Sequence, residues 1–172
     1  VTELGKQPLT DFLGAVAAAT PAPGGGTSCG VAAALAAGLV EMSAGLGGRP
    51  DDAGRAGELG RQALKLAEEE LTSYAPVLQA RTPEDRSAAL VAASEPPCRI
   101  VEVAADVAEL GVSVAGSASA AVRGDALTGV TLAEAAAAAA ARLVEINLGS
   151  GAVVDRALAA AARAATARAE GA

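Results

Sequence analysis

Apolar positions recur every three or four residues along most of the chain, and no segment alternates with the period of two that marks a strand. The pattern predicts a series of helices separated by glycine and proline. The first spans about residues 10–19, with Thr10 as cap and Asp11 in its first turn. Pro21-Ala22-Pro23-Gly24-Gly25-Gly26-Thr27-Ser28 interrupts it and cannot be helical in its first half. A long helix over about 27–46 follows. Its Gly30, Ala34 and Gly38 share one stripe, where small residues admit a neighbouring backbone.

Gly47-Gly48-Arg49-Pro50 ends that helix, and Asp51 or Asp52 caps the next, which runs to about residue 80. Its stripe Leu64, Ala67, Leu71, Tyr74, Leu78 has core-facing spacing, and Pro76 breaks or kinks it near Tyr74. Thr82-Pro83-Glu84-Asp85 is a further helix start, and Pro96-Pro97 is expected to end that helix. Beyond it Ile100, Val103, Val107, Leu110 and Val114 face one side. Arg99, Glu102, Asp106, Glu109 and Ser113 face the other. Residues 116–124 read as a loop or a helix of small residues. Thr131-Leu132-Ala133-Glu134 resembles a capping box, although a helix start near Asp125 fits equally, and that helix runs to Leu148. Gly149-Ser150-Gly151 is a turn, a last helix covers about 153–168, and residues 169–172 are expected to fray. The expected fold is all-α: residues 1–172 form one compact bundle of five to seven helices.

Composition narrows the chemistry. Of 172 residues, 48 are Ala and 20 Gly; Phe12 and Tyr74 are the only aromatics, and there is no Trp or His. Imidazole metal sites, histidine-dependent nucleophiles and aromatic platforms for single-stranded nucleic acid are therefore excluded. Acid–base work falls to carboxylates, Lys, Tyr, Cys or backbone groups. The net charge of −7 argues against a nucleic-acid partner. Cys29 and Cys98, far apart in helical contexts, read as buried thiols rather than a disulfide. Residues 1–7 lack a signal-peptide pattern. The apolar stretches 31–40 and 135–141 are too short and too rich in small residues to suggest a membrane span. A soluble cytoplasmic protein is expected.

Three constellations could carry chemistry. Gly24, Gly25 and Gly26 ahead of a helix expose consecutive N–H groups, an arrangement suited to a carboxylate, phosphate or carbonyl oxygen. It is no Walker loop, and a tight inter-helix turn demands the same glycines. Arg123-Gly124-Asp125 precedes a helix ending at Glu145-Ile146-Asn147-Leu148, where Asp125 serves equally as a cap and Asn147 as a terminal polar group. In Glu68-Glu69-Glu70 most of the charge belongs on a solvated face, while Glu70 lies beside the apolar stripe. Arg86, Arg99 and Arg123 flank the interruptions and read as surface charges or ligand contacts.

The opening Phe12-Leu13, Ala17, Pro21-Ala22-Pro23-Gly24-Gly25-Gly26, Ala32-Ala33 and Met42 resembles the cyclodeaminase/methenyltetrahydrofolate cyclohydrolase family. That family comprises the C-terminal domain of formiminotransferase-cyclodeaminase and its stand-alone bacterial relatives. The acidic run followed by Tyr74, then Arg86, Ala88-Ala89 and Pro97, then Asp125 and Ile146-Asn147-Leu148 extend the resemblance in order. It departs from the family at Glu70, Gly124 and Leu143, where the family carries Asp, Ser and Asn. The resemblance implies an all-α homodimer of one-carbon metabolism. Its reaction would be hydrolysis of 5,10-methenyltetrahydrofolate to the 10-formyl form, or cyclisation of 5-formiminotetrahydrofolate with release of ammonia. It implies a tetrahydrofolate derivative as substrate, no tightly bound cofactor and no metal. By motif Asp125 is the first choice for catalytic carboxylate, with Glu70 as the second. Gly24, Gly25, Gly26, Thr27, Ser28, Arg99, Arg123 and Asn147 are the substrate-binding candidates. The alternative is a non-catalytic dimeric helical module that binds a folate-like ligand or a protein partner.

Overall fold

The computed structural model describes residues 4–171, and among these there is no strand. A 3-10 turn, Leu4–Lys6, precedes seven helices: α1 Leu9–Ala17, α2 Gly25–Leu46, α3 Pro50–Ser73, α4 Ala75–Gln79, α5 Pro83–Ser117, α6 Ala120–Leu148 and α7 Ala152–Gly171. The expected all-α bundle is what forms. Val1 to Glu3 and Ala172 lie outside the described residues.

Helix α5 is the spine and packs against α2, α3, α4, α6 and α7. The expected break at Pro96-Pro97 does not occur, because both prolines sit inside α5. An interior proline costs a helix about 3 kcal/mol or more. Here the two prolines and the residues that follow them, Cys98, Ile100, Val101, Val103, Ala104 and Ala105, are all buried, and that burial offsets the cost. Thr82 caps this helix as expected, accepting from the Asp85 N–H at 3.0 Å, with Pro83 in the first turn. The predicted stripe from Ile100 to Val114 is buried throughout.

Helices α2 and α6 are long and apolar enough to cross a bilayer by length and composition, contrary to the reading of their apolar runs as too short. In the fold both are core helices that approach each other and their neighbours at glycine. A Cβ on Gly30 would come within 2.7 Å of the Ala67 Cβ on α3. One on Gly129 would come within 2.9 Å of the Ala36 carbonyl oxygen on α2. Gly30 thus plays its predicted part, but Gly38 does not: it is exposed, with nothing near its missing Cβ. A strict four-residue spacing rotates off a face by about 40° per step, since a helix turns once in 3.6 residues. The buried face of α2 instead follows mixed three- and four-residue steps through Gly26, Cys29 or Gly30, Ala33, Ala36 or Ala37, Val40 and Ser43 or Ala44.

Other boundaries shift for local reasons. α1 begins at Leu9 behind Pro8 with no side-chain cap, so Thr10 is not the cap. α2 begins at Gly25, inside the glycine run. α3 starts at Pro50 behind Arg49, leaving Asp51 and Asp52 in its first turn, where Asp52 pairs with Arg49 at 2.5 Å. The chain does break beside Tyr74, with Pro76 in the first turn of α4. α6 starts at Ala120, which puts Asp125 and Thr131 inside a helix rather than at its cap. The Thr131 hydroxyl simply donates back to the Leu127 carbonyl at 3.0 Å. α7 continues to Gly171, whose backbone lies near Leu127 and Val112, so residues 169–171 stay helical. An ion-pair ladder joins α7 to α5: Arg156 to Glu95 and Glu102, and Arg163 to Asp106 and Glu109. Cys29 and Cys98 are free and buried, as expected.

Candidate functional site

The N-terminus of α2, the C-terminal end of α3, α4, the proline segment of α5 and the last turns of α6 enclose a cavity of about 420 Å³. Pro21 and Ala22 close one side, and the Ala22–Pro23 peptide is cis. Gly24 is the N-cap in extended backbone, and no side chain caps the helix. The N–H groups of the first turn, Gly25, Gly26 and Thr27, have no intrahelical acceptor and lie at the cavity wall. They carry the partial positive charge of a helix start.

Glu70 projects from α3 onto that helix start. A Cβ at Gly26 would overlap the Glu70 carboxylate, so the carboxylate rests on the bare Cα of residue 26. Burial pushes its pKa up to about 7, against a weaker opposing effect of the Ser73 hydroxyl, which donates to Oε1 at 3.3 Å. Both protonation states are therefore populated at neutral pH. Cys29 lies one turn further along α2. Burial, with the nearby Glu70 charge adding to it, pushes that thiol up to about 11 and leaves it inert at neutral pH.

Among the described residues lining the cavity Glu70 has the only charged side chain. Leu71, Tyr74, Ala75 and Leu78 form one apolar wall. The stripe read as core-facing in the sequence thus faces the cavity at these positions. The buried side of α3 is displaced by about one residue, to Ala56, Leu59, Ala63, Leu66 and Ala67. Leu143, Ala93 and Pro97 line another part. Asn147 is also at the cavity, where its Nδ2 donates to the Ser94 hydroxyl oxygen at 3.3 Å. Ser94, fully buried, donates in turn to the Leu90 carbonyl at 2.8 Å, which fixes the Asn147 amide.

Of the sequence candidates, Gly24, Gly25, Gly26, Thr27, Glu70 and Asn147 come together here. Ser28 does not line the cavity; its hydroxyl donates to the Gly24 carbonyl at 2.9 Å within its own helix. Arg99 is exposed and paired with Glu69 at 3.3 Å. Arg123 and Asp125 are exposed near the start of α6. Twenty-two residues of helix separate Asp125 from Asn147, about 33 Å at 1.5 Å per residue. Within one chain Asp125, the first choice by motif, therefore lies outside this cavity. Tyr74, Leu78, Ala93 and Pro97 were not among the candidates. An aromatic at a proline-marked helix break, and prolines inside an otherwise helical pattern, were the available signals.

An all-α bundle that presents one half-buried carboxylate to the uncapped start of a glycine-rich helix defines a class of small-molecule site. The formiminotransferase-cyclodeaminase family model matches residues 8–168. The chain belongs to that family. Its fold is similar to the crystal structure of formiminotetrahydrofolate cyclodeaminase from Thermotoga maritima. The TM-score is 0.90 at 21% sequence identity, over 98% of this chain and 96% of that one. No curated protein sequence matches it significantly.

Proposed function

We propose that the protein is a folate-dependent one-carbon enzyme acting as a methenyltetrahydrofolate cyclohydrolase or formiminotetrahydrofolate cyclodeaminase, with Glu70 as its general acid–base. The observation that carries this reading is a single carboxylate, poised near neutrality, as the only charged side chain among the described residues lining a cavity at an uncapped helix start. The methenyl bridge is an electrophilic cation, so a carboxylate can both attract it and activate water.

In hydrolysis, ionised Glu70 takes a proton from water as its oxygen bonds to the bridge carbon. The bond from that carbon to N5 then breaks. N5 receives the proton held by Glu70, the hydroxyl proton leaves to solvent, and the formyl group remains on N10. In cyclisation, N10 adds to the formimino carbon and its proton passes to the formimino nitrogen. Protonated Glu70 then supplies the second proton as the bond from carbon to that nitrogen breaks, releasing ammonia and leaving the methenyl cation beside ionised Glu70. The first-turn N–H groups of Gly25, Gly26 and Thr27 suit a carbonyl or carboxylate oxygen of the substrate, and Asn147 orients it. The reading invokes no metal and no resident cofactor. The protein would act as a homodimer, and a second copy is a route by which Asp125 or Arg123 could enter a cavity.

The test follows loss of the near-ultraviolet absorbance of 5,10-methenyltetrahydrofolate, and ammonia release from the formimino substrate. Acceleration by the wild-type protein, with a fall of about 100-fold in Glu70→Gln, supports the reading, since general acid–base groups contribute about 10²–10⁴-fold. No acceleration of either reaction overturns it. Tight folate binding without turnover would assign the non-catalytic module instead.

A further inference from the structure

We propose that Pro97 makes the Ala93 carbonyl a ligand-binding acceptor, so that this wall of the cavity selects a flat nitrogen heterocycle with N–H groups along one edge. The inference rests on the folate reading and names what holds the ring end of that substrate. In a helix the carbonyl of residue i accepts from the amide of residue i+4, and proline has no amide hydrogen. Pro96 and Pro97 therefore withdraw the regular donors of Ala92 and Ala93.

The two carbonyls differ in surroundings. Ala92 is exposed, so water can serve it. Ala93 is 3% exposed and, with Pro97, lines the cavity. The proline ring also crowds the carbonyl four residues earlier and tilts it off the helix axis. A buried carbonyl deprived of its regular helical donor requires another, and on this proposal the ligand supplies it. Asn147 lies on the same cavity. With Nδ2 donated to Ser94, its amide oxygen is a second acceptor. The cavity thus combines acceptors from α5 and α6 with N–H donors from α2. That combination fits the amide and amino edge of a tetrahydropterin and its carbonyl.

The test restores the missing donor. Pro97→Val keeps most of the side-chain volume and returns an N–H to the Ala93 carbonyl. Pro97→Ala returns it without the volume, and Pro96→Ala returns one to the exposed Ala92. Binding of 5-formyltetrahydrofolate is measured by calorimetry, and kcat and KM with 5,10-methenyltetrahydrofolate. Both Pro97 variants are expected to bind about tenfold more weakly and raise KM with kcat little changed, as for one lost hydrogen bond to ligand. Pro96→Ala is expected to match wild type. Wild-type binding in Pro97→Val, or equal losses in Pro96→Ala, overturns the inference while leaving the folate reading intact. A wild-type protein that neither binds nor converts folates overturns both. Should the Pro97 variants not fold, wild-type protein is titrated with 6-methyltetrahydropterin and its 2-dimethylamino analogue, which lacks the amino donors. About tenfold weaker binding of the analogue supports the inference, and equal binding overturns it.

Discussion

Gly26→Ala isolates the contact on which the site depends. Alanine is favoured over glycine in a helix by up to about 1 kcal/mol, so local propensity predicts a slightly stabilised protein. The new methyl, however, occupies the place of the Glu70 carboxylate. Backbone movement is not required, because a half-exposed glutamate can rotate toward solvent. It then gives up the Ser73 hydrogen bond, a loss of about 1 kcal/mol. At about pH 4, where the carboxyl is protonated and its burial carries no charge penalty, the two effects nearly cancel, and at about 2–4 °C per kcal/mol for a chain of this size the melting temperature should shift by only a few degrees. Activity should fall about 100-fold, since the general base leaves the cavity.

The pH profile supplies an independent readout. Hydrolysis requires ionised Glu70, so wild-type kcat/KM should rise with pH through about 7. Once displaced into water, the carboxylate loses the burial that raised its pKa, and the residual activity of Gly26→Ala should rise at distinctly lower pH. Gly38→Ala is the control: it lies on the same helix outside the cavity, with open space where its Cβ would be. Wild-type kcat/KM in Gly26→Ala, with its rise still near pH 7, would refute the assignment of Glu70.

Three further outcomes follow from the same geometry. Glu70 has a folded-state pKa above its unfolded value of 4.5, so ionising it costs stability: the cost is absent below about pH 4.5 and complete above about pH 7. Glu70→Gln should therefore unfold at higher denaturant than wild type at pH 8, with the advantage vanishing by pH 4; an advantage that grew toward acid would have the wrong sign. Asp125→Asn should keep turnover within about threefold if one chain forms the site, since its distance forbids contact; a loss comparable to that of Glu70→Gln would place it in the cavity of a second copy. Gly129→Ala should cost about 1–3 kcal/mol in thermal unfolding, because its Cβ would meet a backbone oxygen at 2.9 Å, whereas Gly38→Ala, with open space, should be neutral or mildly stabilising.

Much of the helical plan was legible because periodicity and punctuation agreed: the stripe from Ile100 to Val114, the Thr82-Pro83 start and the Gly149-Ser150-Gly151 turn all appear in the fold. The reading of Pro96-Pro97 as a stop failed because local cost is weighed against burial, and burial depends on neighbours remote in sequence. Asp125, the first choice by motif, reads locally as a cap. With α6 starting at Ala120 rather than at Asp125 or Thr131, a residue suited to capping becomes an exposed side chain within the helix. Glu70 was half legible, since its place beside the apolar stripe was visible. The one-residue displacement of the buried face of α3 is what gives that stripe to a cavity instead of a core.

The glycine run shows most clearly what a sequence leaves open. Three glycines before a helix suggest backbone angles that other residues avoid. Among the described residues, however, positive φ occurs at Gly48, Gly149 and Gly151 and not in this run. Gly24 is extended, and Gly25 and Gly26 already belong to α2. Angular freedom therefore does not explain residue 26; space does, because the carboxylate of Glu70 fills what a side chain would take. Glycine and glutamate, 44 positions apart, are one feature: the first makes room for the second at the positive end of a helix. The room is partly enclosed, and burial there holds the carboxylate near neutrality despite the favourable helix start. A turn chosen for its angles would tolerate many partners across from it. A cradle chosen for its space requires a side chain long enough to reach the wall at Gly26, as that of Glu70 does.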